Sequence, residues 1–337
     1  MSPFMRHLPL VLALLVAAPQ APAGLPTRLT DQEFWALSQE SSELGGYFRS
    51  ADITNLTSNE TEMQYVIPDL VARVKPDYVY LGVGPEQNFT YITALRPKMA
   101  VIFDIRRGNL NLQLMYKAIF ELSKDRADFV SMLFSKPRPP AIGAAARADE
   151  LFSAFASSET SQALYTKNLA AIRTFLTKTR GLPLTPADLN AIETVYQAFY
   201  ASGFYVRPSP SYADLMAGTD ASGVTRSYLA SEANFKVLKD LQSRNLVVPV
   251  VGDFAGPKAL RAIGAYLKAR GATVGAFYLS NVEQYLGDYG AFCRNVQALP
   301  LDAASVFIRS SSGGGFGRGG RFVNSLGPMM SETERCR

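Results

Sequence analysis

Histidine is almost missing from this chain: among 337 residues there is one His, at position 7, with only two Cys and one Trp. His7 falls in a leader that reads as removable, so the mature protein is expected to contain no histidine. Histidine is the side chain whose charge changes most readily near neutral pH, and the commonest metal ligand. Its loss excludes Ser-His-Asp and Cys-His catalysis, and histidine-ligated zinc or iron. Two cysteines, Cys293 and Cys336, cannot build a disulfide-rich scaffold or an ordinary four-ligand zinc site. One bridge pinning the tail to the body and two unpaired thiols are the alternatives, because sequence supplies no distance. No transition metal is expected, and oxygen-ligated calcium or magnesium stays open. There is no Gly-x-Ser-x-Gly elbow to support a hydrolase. What remains is chemistry carried by carboxylates, tyrosines, backbone amides or a cofactor.

Long hydrophobic runs are also scarce. In residues 1–23, Arg6 precedes an apolar run from Leu8 to Ala18, and Ala21-Pro22-Ala23 offers a small-x-small cleavage pattern before Gly24. The run is shorter than the ~20 residues of a membrane span. The reading is a signal peptide cleaved after Ala23, with export to the periplasm or exterior and no stable membrane span afterwards; an uncleaved anchor is the alternative. No cysteine follows the run to carry a lipid. Removing the leader takes away Arg6, so the balance falls from 34 − 29 = +5 to 33 − 29 = +4. The basic residues are scattered, without the clustering and aromatic interleaving of a nucleic-acid groove, so no nucleic acid is expected. The expected partner is a small-molecule ligand. Glycosylation-type triplets begin at Asn55, Asn59 and Asn88.

The texture predicts an α/β protein. Thr30 and Glu33 make a capping-box pattern at the head of a helix over 30–44. Short β-like runs follow at Tyr78–Leu81 and Ala100–Phe103. Residues 109–205 read as mostly helical, with a Pro-rich break at Lys136–Pro140 and a helix opened by Thr185-Pro186. A loop at Arg207–Gly223 leads to a helix near 231–243. Strand patterns resume at Leu246–Val251, Val274–Leu279 and Ala304–Ile308. Apolar runs bounded by glycines and alternating with helices indicate a mostly parallel, Rossmann-like sheet covered on both faces. The expected organisation is a leader (1–23), an N-terminal helix and first half of the core (24–108), a helical insertion between the second and third core strands (109–245), the second half of the core (246–310), and a Gly-rich C-terminal tail (311–337).

The richest stretch is Val79-Tyr80-Leu81-Gly82-Val83-Gly84-Pro85-Glu86-Gln87-Asn88. Gly82 permits a tight turn after a buried strand, and Gly84 lets a ligand approach the backbone. Asp104 follows twenty residues beyond Gly84, at the end of a second strand, where a carboxylate can accept both hydroxyls of a ribose. Pro85 removes an amide donor and Glu86 brings negative charge where a pyrophosphate would sit, which opposes NAD or FAD. A ribose-and-adenine ligand without phosphate fits better. Farther on, Gly252-Asp253-Phe254 ends a strand with an acid and an aromatic, and Ser280-Asn281-Val282 ends the next with polar groups.

In these segments the chain resembles class I S-adenosylmethionine-dependent methyltransferases. The resemblance implies that Gly82 and Gly84 flank the methionine portion, that Asp104 binds ribose, that Asp253 and Phe254 bind adenine, and that Ser280 and Asn281 face the transferred methyl group. Three features depart from that family: Tyr80 stands where it usually has an acid, Glu86 stands where a further glycine or small residue is common, and a block of more than a hundred residues separates the second and third strands. The chain also looks like a family of exported bacterial proteins of unassigned function, through Tyr80–Phe89, Asp104–Asn109 and Leu279–Leu286.

Methyl transfer can proceed without histidine when the acceptor is already nucleophilic. If a base is needed, Glu283 is the candidate, with Tyr278 and Tyr285 orienting a substrate; a first-turn helix acid and rim aromatics are the plainer readings of these residues. Arg106 and Arg107 pair with a ligand carboxylate or are simply solvated. Asn55, Asn59 and Glu60 line the pocket from the amino-terminal side or serve as turn caps. Because S-adenosylmethionine is made in the cytoplasm, an exported non-catalytic binding or envelope protein that retains the fold stands beside the enzyme reading.

Overall fold

The computed structural model describes residues 24–46, 55–140, 142–207, 209–312 and 322–334. The leader, Cys336 and most of the Gly-rich stretch lie outside the described residues. Cys293 is disulfide-bonded.

Six strands form one sheet: β1 (Val79–Val83), β2 (Met99–Asp104), β3 (Val247–Val251), β4 (Val274–Ser280), β5 (Val306–Ser312) and β6 (Phe322–Pro328). Their spatial order is β3-β2-β1-β4-β5-β6. The first five run parallel and β6 returns antiparallel against β5. Each central strand reads as a continuous apolar run because it is buried on both sides; in β2 every residue is buried. Tyr80 and Tyr278 meet Tyr91 on one face. On the other, Phe103, Phe277 and Phe307 pack with Phe254 and Phe292.

The edge at β3 is managed locally. Pro249 lacks an N–H, which an edge strand tolerates, and its carbonyl accepts from Ser38 Oγ at 2.6 Å. Ser38 belongs to the helix Asp31–Ser41, which opens with the capping box between Thr30 and Glu33 and lies against β3, covering backbone groups that would otherwise invite pairing.

Between β2 and β3 the described residues hold seven α-helices and no strand. Arg107–Leu122 packs on β2 and β3, and Gln87–Leu95 on β1. Phe89 joins these two layers through Tyr116 and Phe120, and Phe129, Tyr228 and Phe235 continue the aromatic core outward. Thr185 caps Pro186–Ser202 as its sequence indicates. Within the expected loop at 207–223, Ser211 and Asp214 form a capping box that starts the short helix Tyr212–Ala217.

The C-terminal tail adds a strand that the sequence reading did not name: Phe322–Pro328 pairs with β5 along its whole length. Ser, Gly and Arg around it hide the strand from a compositional reading.

Candidate functional site

A cavity of about 300 Å³ opens at the carboxyl ends of β1, β2, β3 and β4. Its floor is the turn after β1, where Val83, Gly84 and Pro85 line it. Gly84 has φ +78°, a conformation open mainly to glycine, and its N–H donates to Phe103 O at 3.0 Å, tying the turn to β2. Asn88 braces the same turn from below: its Nδ2 donates to Val83 O (2.9 Å) and Pro85 O (2.7 Å) while its Oδ1 accepts from Tyr80 OH (2.9 Å). Gly82 makes room for this brace, since a Cβ there would collide with Asn88 Oδ1 and approach Tyr80 OH to 2.8 Å. Gly82 therefore supports the turn from beneath and is not part of the cavity lining. Asn88 is fully buried, which places its glycosylation-type triplet out of reach of modification.

Asp104 lines the cavity at the end of β2, and its carboxylate is held by its own neighbour Arg106. Arg107 is turned elsewhere, pairing with the buried Asp188 at 2.7 and 3.0 Å. Burial alone would raise Asp188, but the Arg107 and Thr185 hydrogen bonds hold it well below the usual carboxylate range. Gly252, Asp253 and Phe254 line the next edge. Asp253 Oδ1 accepts from Ala255 N at 2.8 Å.

At the end of β4 the pairing with β5 shifts register between Tyr278 and Ser280. Ser280 takes φ +52° there and lines the cavity together with Tyr278, Asn281, Tyr285 and Leu286. Asn55, at φ 38°, is a third lining residue in the left-handed region beside Gly84 and Ser280. Such backbone is costly for a side-chain-bearing residue and gathers at functional sites.

The amino-terminal approach supplies Asn55, Ser58, Asn59 and Glu60 to the lining, and the helical block supplies Arg207. Glu60 is 1% exposed and its carboxylate receives four side-chain donors. Tyr278 OH and Ser280 Oγ donate to Oε1 at 2.7 and 2.6 Å. Gln87 Nε2 and Asn324 Nδ2 donate to Oε2 at 2.6 and 2.7 Å. Burial drives the Tyr278 hydroxyl well above its ordinary range, with the Glu60 charge adding to it. Beside this network, burial pushes Glu86 up to about 7; one of its oxygens accepts from Ser58 N at 3.1 Å and the other, Oε2, has no partner.

The cavity thus gathers Gly84, Asp104, Asp253, Phe254, Ser280, Asn281 and Tyr285, and leaves out Gly82 and Glu283. Glu283 lies in the 3-10 turn Val282–Tyr285, where its carboxylate pairs with Arg309 and accepts from Tyr289 OH at 3.1 Å. Of the described residues 109–245, Arg207 alone lines the cavity. Sequence reasoning did not single out Ser58, Gln87, Arg207 or Asn324. No group of three or more His, Cys, Asp or Glu that could hold a metal occurs among the described residues, and no helix among them is long and apolar enough to cross a membrane.

No curated protein matches the chain. A family model described as a domain of unknown function (DUF7790) matches residues 55–326, a span that contains every residue of the cavity lining. The chain belongs to the DUF7790 family.

Proposed function

We propose that this is an exported, methyltransferase-like protein with a Rossmann-like core. In this reading it binds an adenosyl ligand, S-adenosylmethionine first among the candidates, and methylates an acceptor admitted beside it. One observation carries the reading. The order β3-β2-β1-β4 means that successive strands leave β1 first to one side and then to the other, and ligands of open parallel sheets bind outside the strand ends where that reversal occurs. The cavity stands there, between Gly84 after β1 and Ser280 at the end of β4.

The lining suits such a ligand. A Cβ placed on Gly84 would meet nothing nearer than Asn55 Nδ2 at 3.9 Å, so the backbone faces open space that a ligand can fill. Asp104 would accept ribose hydroxyls and Phe254 would flank the base. Burial of Glu86 at the head of Gln87–Leu95 disfavours a phosphate there and favours a ligand without one. When bound, S-adenosylmethionine supplies an electrophilic methyl group on sulfur. The chain's own contribution is then to hold and align, which accounts for much of the acceleration when the acceptor is already nucleophilic. Glu283, committed to Arg309 and Tyr289, is given no role as a base.

The non-catalytic reading is favoured by one observation, the pairing of both Asp104 oxygens with Arg106, which takes three of the about four acceptor sites of the carboxylate and leaves too few for both hydroxyls of a ribose. Calorimetric titration of the mature protein with S-adenosylmethionine and S-adenosylhomocysteine tests the proposal. Saturable binding of either supports it, and no binding by a folded sample removes the adenosyl site.

A further inference from the structure

We infer that the cavity wall formed by Tyr278 and Ser280, with the Asp253 carboxylate on the opposite side, recognises a protonated amine, so that the substrate class at this site is a small molecule bearing a primary or secondary ammonium. The inference deepens the reading above and rests on it for the position of the ligand.

A carboxylate only accepts, and its two oxygens offer about four lone-pair sites. On Glu60 all four are taken by Tyr278, Ser280, Gln87 and Asn324. The single hydroxyl protons of Tyr278 and Ser280 are therefore spent inward on Glu60. Both residues also line the cavity, so what their oxygens can offer a ligand is lone pairs. Across the cavity, Asp253 uses one oxygen on Ala255 N and likewise has only acceptor capacity to give. Asn324 on β6 and Gln87 at the head of the helix Gln87–Leu95 lock Glu60 from behind, which fixes the polarity of the wall instead of leaving hydroxyl rotors to adapt.

Charge points the same way. Among the described residues no cationic side chain forms an ion pair with Glu60 or Asp253, whereas Asp104 has Arg106. Arg207 is the one cation in the lining among the described residues, and its charge acts on the buried Glu86. A wall of lone pairs with two uncompensated carboxylates favours a ligand that brings both N–H donors and positive charge, since charge-assisted hydrogen bonds are the strong ones. The side chains of Tyr278, Ser280 and Asp253 give a carboxylate or phosphate ligand no hydrogen-bond donor.

The test is calorimetric titration of the mature protein with three matched probes: phenethylammonium chloride, neutral 2-phenylethanol and sodium 3-phenylpropionate. The ammonium is expected to bind roughly tenfold tighter than the alcohol or better, the worth of one charge-assisted hydrogen bond, and the carboxylate more weakly than either. In Glu60→Gln the new amide donates where it formerly accepted, which turns a neighbouring hydroxyl outward and brings the ammonium-to-alcohol ratio close to one. Ser280→Ala removes one acceptor while sparing Glu60, and lowers the same ratio should Glu60→Gln fail to fold. Failure of the ammonium to bind, equal or tighter binding of the alcohol or carboxylate, or an unchanged ratio in the folded variants overturns the inference. Titrating S-adenosylhomocysteine into the same preparation separates the two readings. Ammonium preference without adenosyl binding leaves the amine site and removes the adenosyl one, and the converse result does the reverse.

Discussion

Asp104 and Arg106 grip each other at the cavity's edge. Asp104 Oδ1 accepts from the Arg106 backbone N at 2.8 Å and from its Nε at 3.0 Å, and Oδ2 accepts from Nη2 at 2.9 Å. The same carboxylate thus turns the chain into the helix Arg107–Leu122 and lines the cavity, where the proposed ligand would bring its ribose.

Asp104→Asn separates these two duties. The amide keeps the shape but gives up charge-assisted acceptance, which is worth about 1.5–3 kcal/mol per bond. Adenosyl-ligand affinity is expected to fall by about one to two powers of ten, alongside a lower melting temperature from the weakened cap. Binding that stays unchanged while the protein melts earlier would leave Asp104 as a cap alone. Calorimetry and thermal unfolding on one sample give both readings.

The two glycines of the turn after β1 are expected to fail differently. At Gly82 an added methyl collides with the Asn88 brace, and overpacking of that kind costs roughly 1–3 kcal/mol. At Gly84 the space is open, but φ +78° charges a side chain about 1–2 kcal/mol. Gly82→Ala should therefore weaken ligand binding indirectly, by releasing the carbonyls of Val83 and Pro85. Gly84→Ala should weaken it directly, by placing a methyl in the cavity. Denaturant melts paired with ligand titration distinguish them: a ligand affinity lost in proportion to stability marks the first mechanism, and one lost beyond it marks the second.

How far these features are legible depends on what kind of signal they leave. Strands β1 to β4 announce themselves because burial on both faces demands unbroken apolar runs, as in Met99–Asp104, and the turn glycines follow from the tight exit at the strand end. The cavity residues at those ends were legible for the same reason. Strand β6 was not, because Asn324, Ser325 and Gly327 resemble linker composition and their pairing with β5 is a tertiary fact. The Glu60 network was least visible: its donors stand 27, 218, 220 and 264 residues away. A polar residue serving so remote a partner leaves no periodicity. Glu283 misled because a strand-end acid looks the same in sequence whether it faces a cavity or, as here, Arg309.

Glu86 sets a pH dependence. Burial raises its carboxyl from 4.5 to about 7, against the Ser58 hydrogen bond and the charge of Arg207. In the unfolded chain it ionises near 4.5, so between that pH and about 7 the folded state keeps a proton that the unfolded state releases. Its contribution to stability is full below 4.5 and is lost as pH climbs to about 7, a change on the order of 3 kcal/mol. Glu86→Gln imitates the protonated form. The variant is expected to match the wild type at the acid end of that window, to exceed it above neutrality, and to show a flatter profile through it. Urea melts across the window check this; parallel profiles for the two proteins would remove Glu86 as the cause.

Glu43 and Gly256 form the most sharply testable pair. The carboxylate of Glu43 accepts from Asp253 N at 3.2 Å and from Lys258 N and Ala259 N at 2.8 Å each, capping the helix Ala259–Lys268, which has no cap of its own. Its backbone N–H donates to Val251 O at 2.8 Å, so the segment after the first helix is stitched to the loop that carries Asp253 and Phe254. Glu43→Ala removes the anion from the helix N-terminus and is expected to cost about 1–2 kcal/mol. Gly256 has no positive φ, and the three atoms nearest an added Cβ all belong to Glu43, with Oε1 at 2.6 Å. Gly256→Ala should therefore destabilise chiefly by dislodging Glu43. Once Glu43 is alanine, the same methyl meets none of those three atoms and should cost little, so the double variant is expected to be about as stable as Glu43→Ala alone. Contacting residues that share one interaction show such non-additivity. Additive losses in the cycle, measured by denaturant unfolding, would mean that Gly256 is required for some reason other than room for the Glu43 carboxylate.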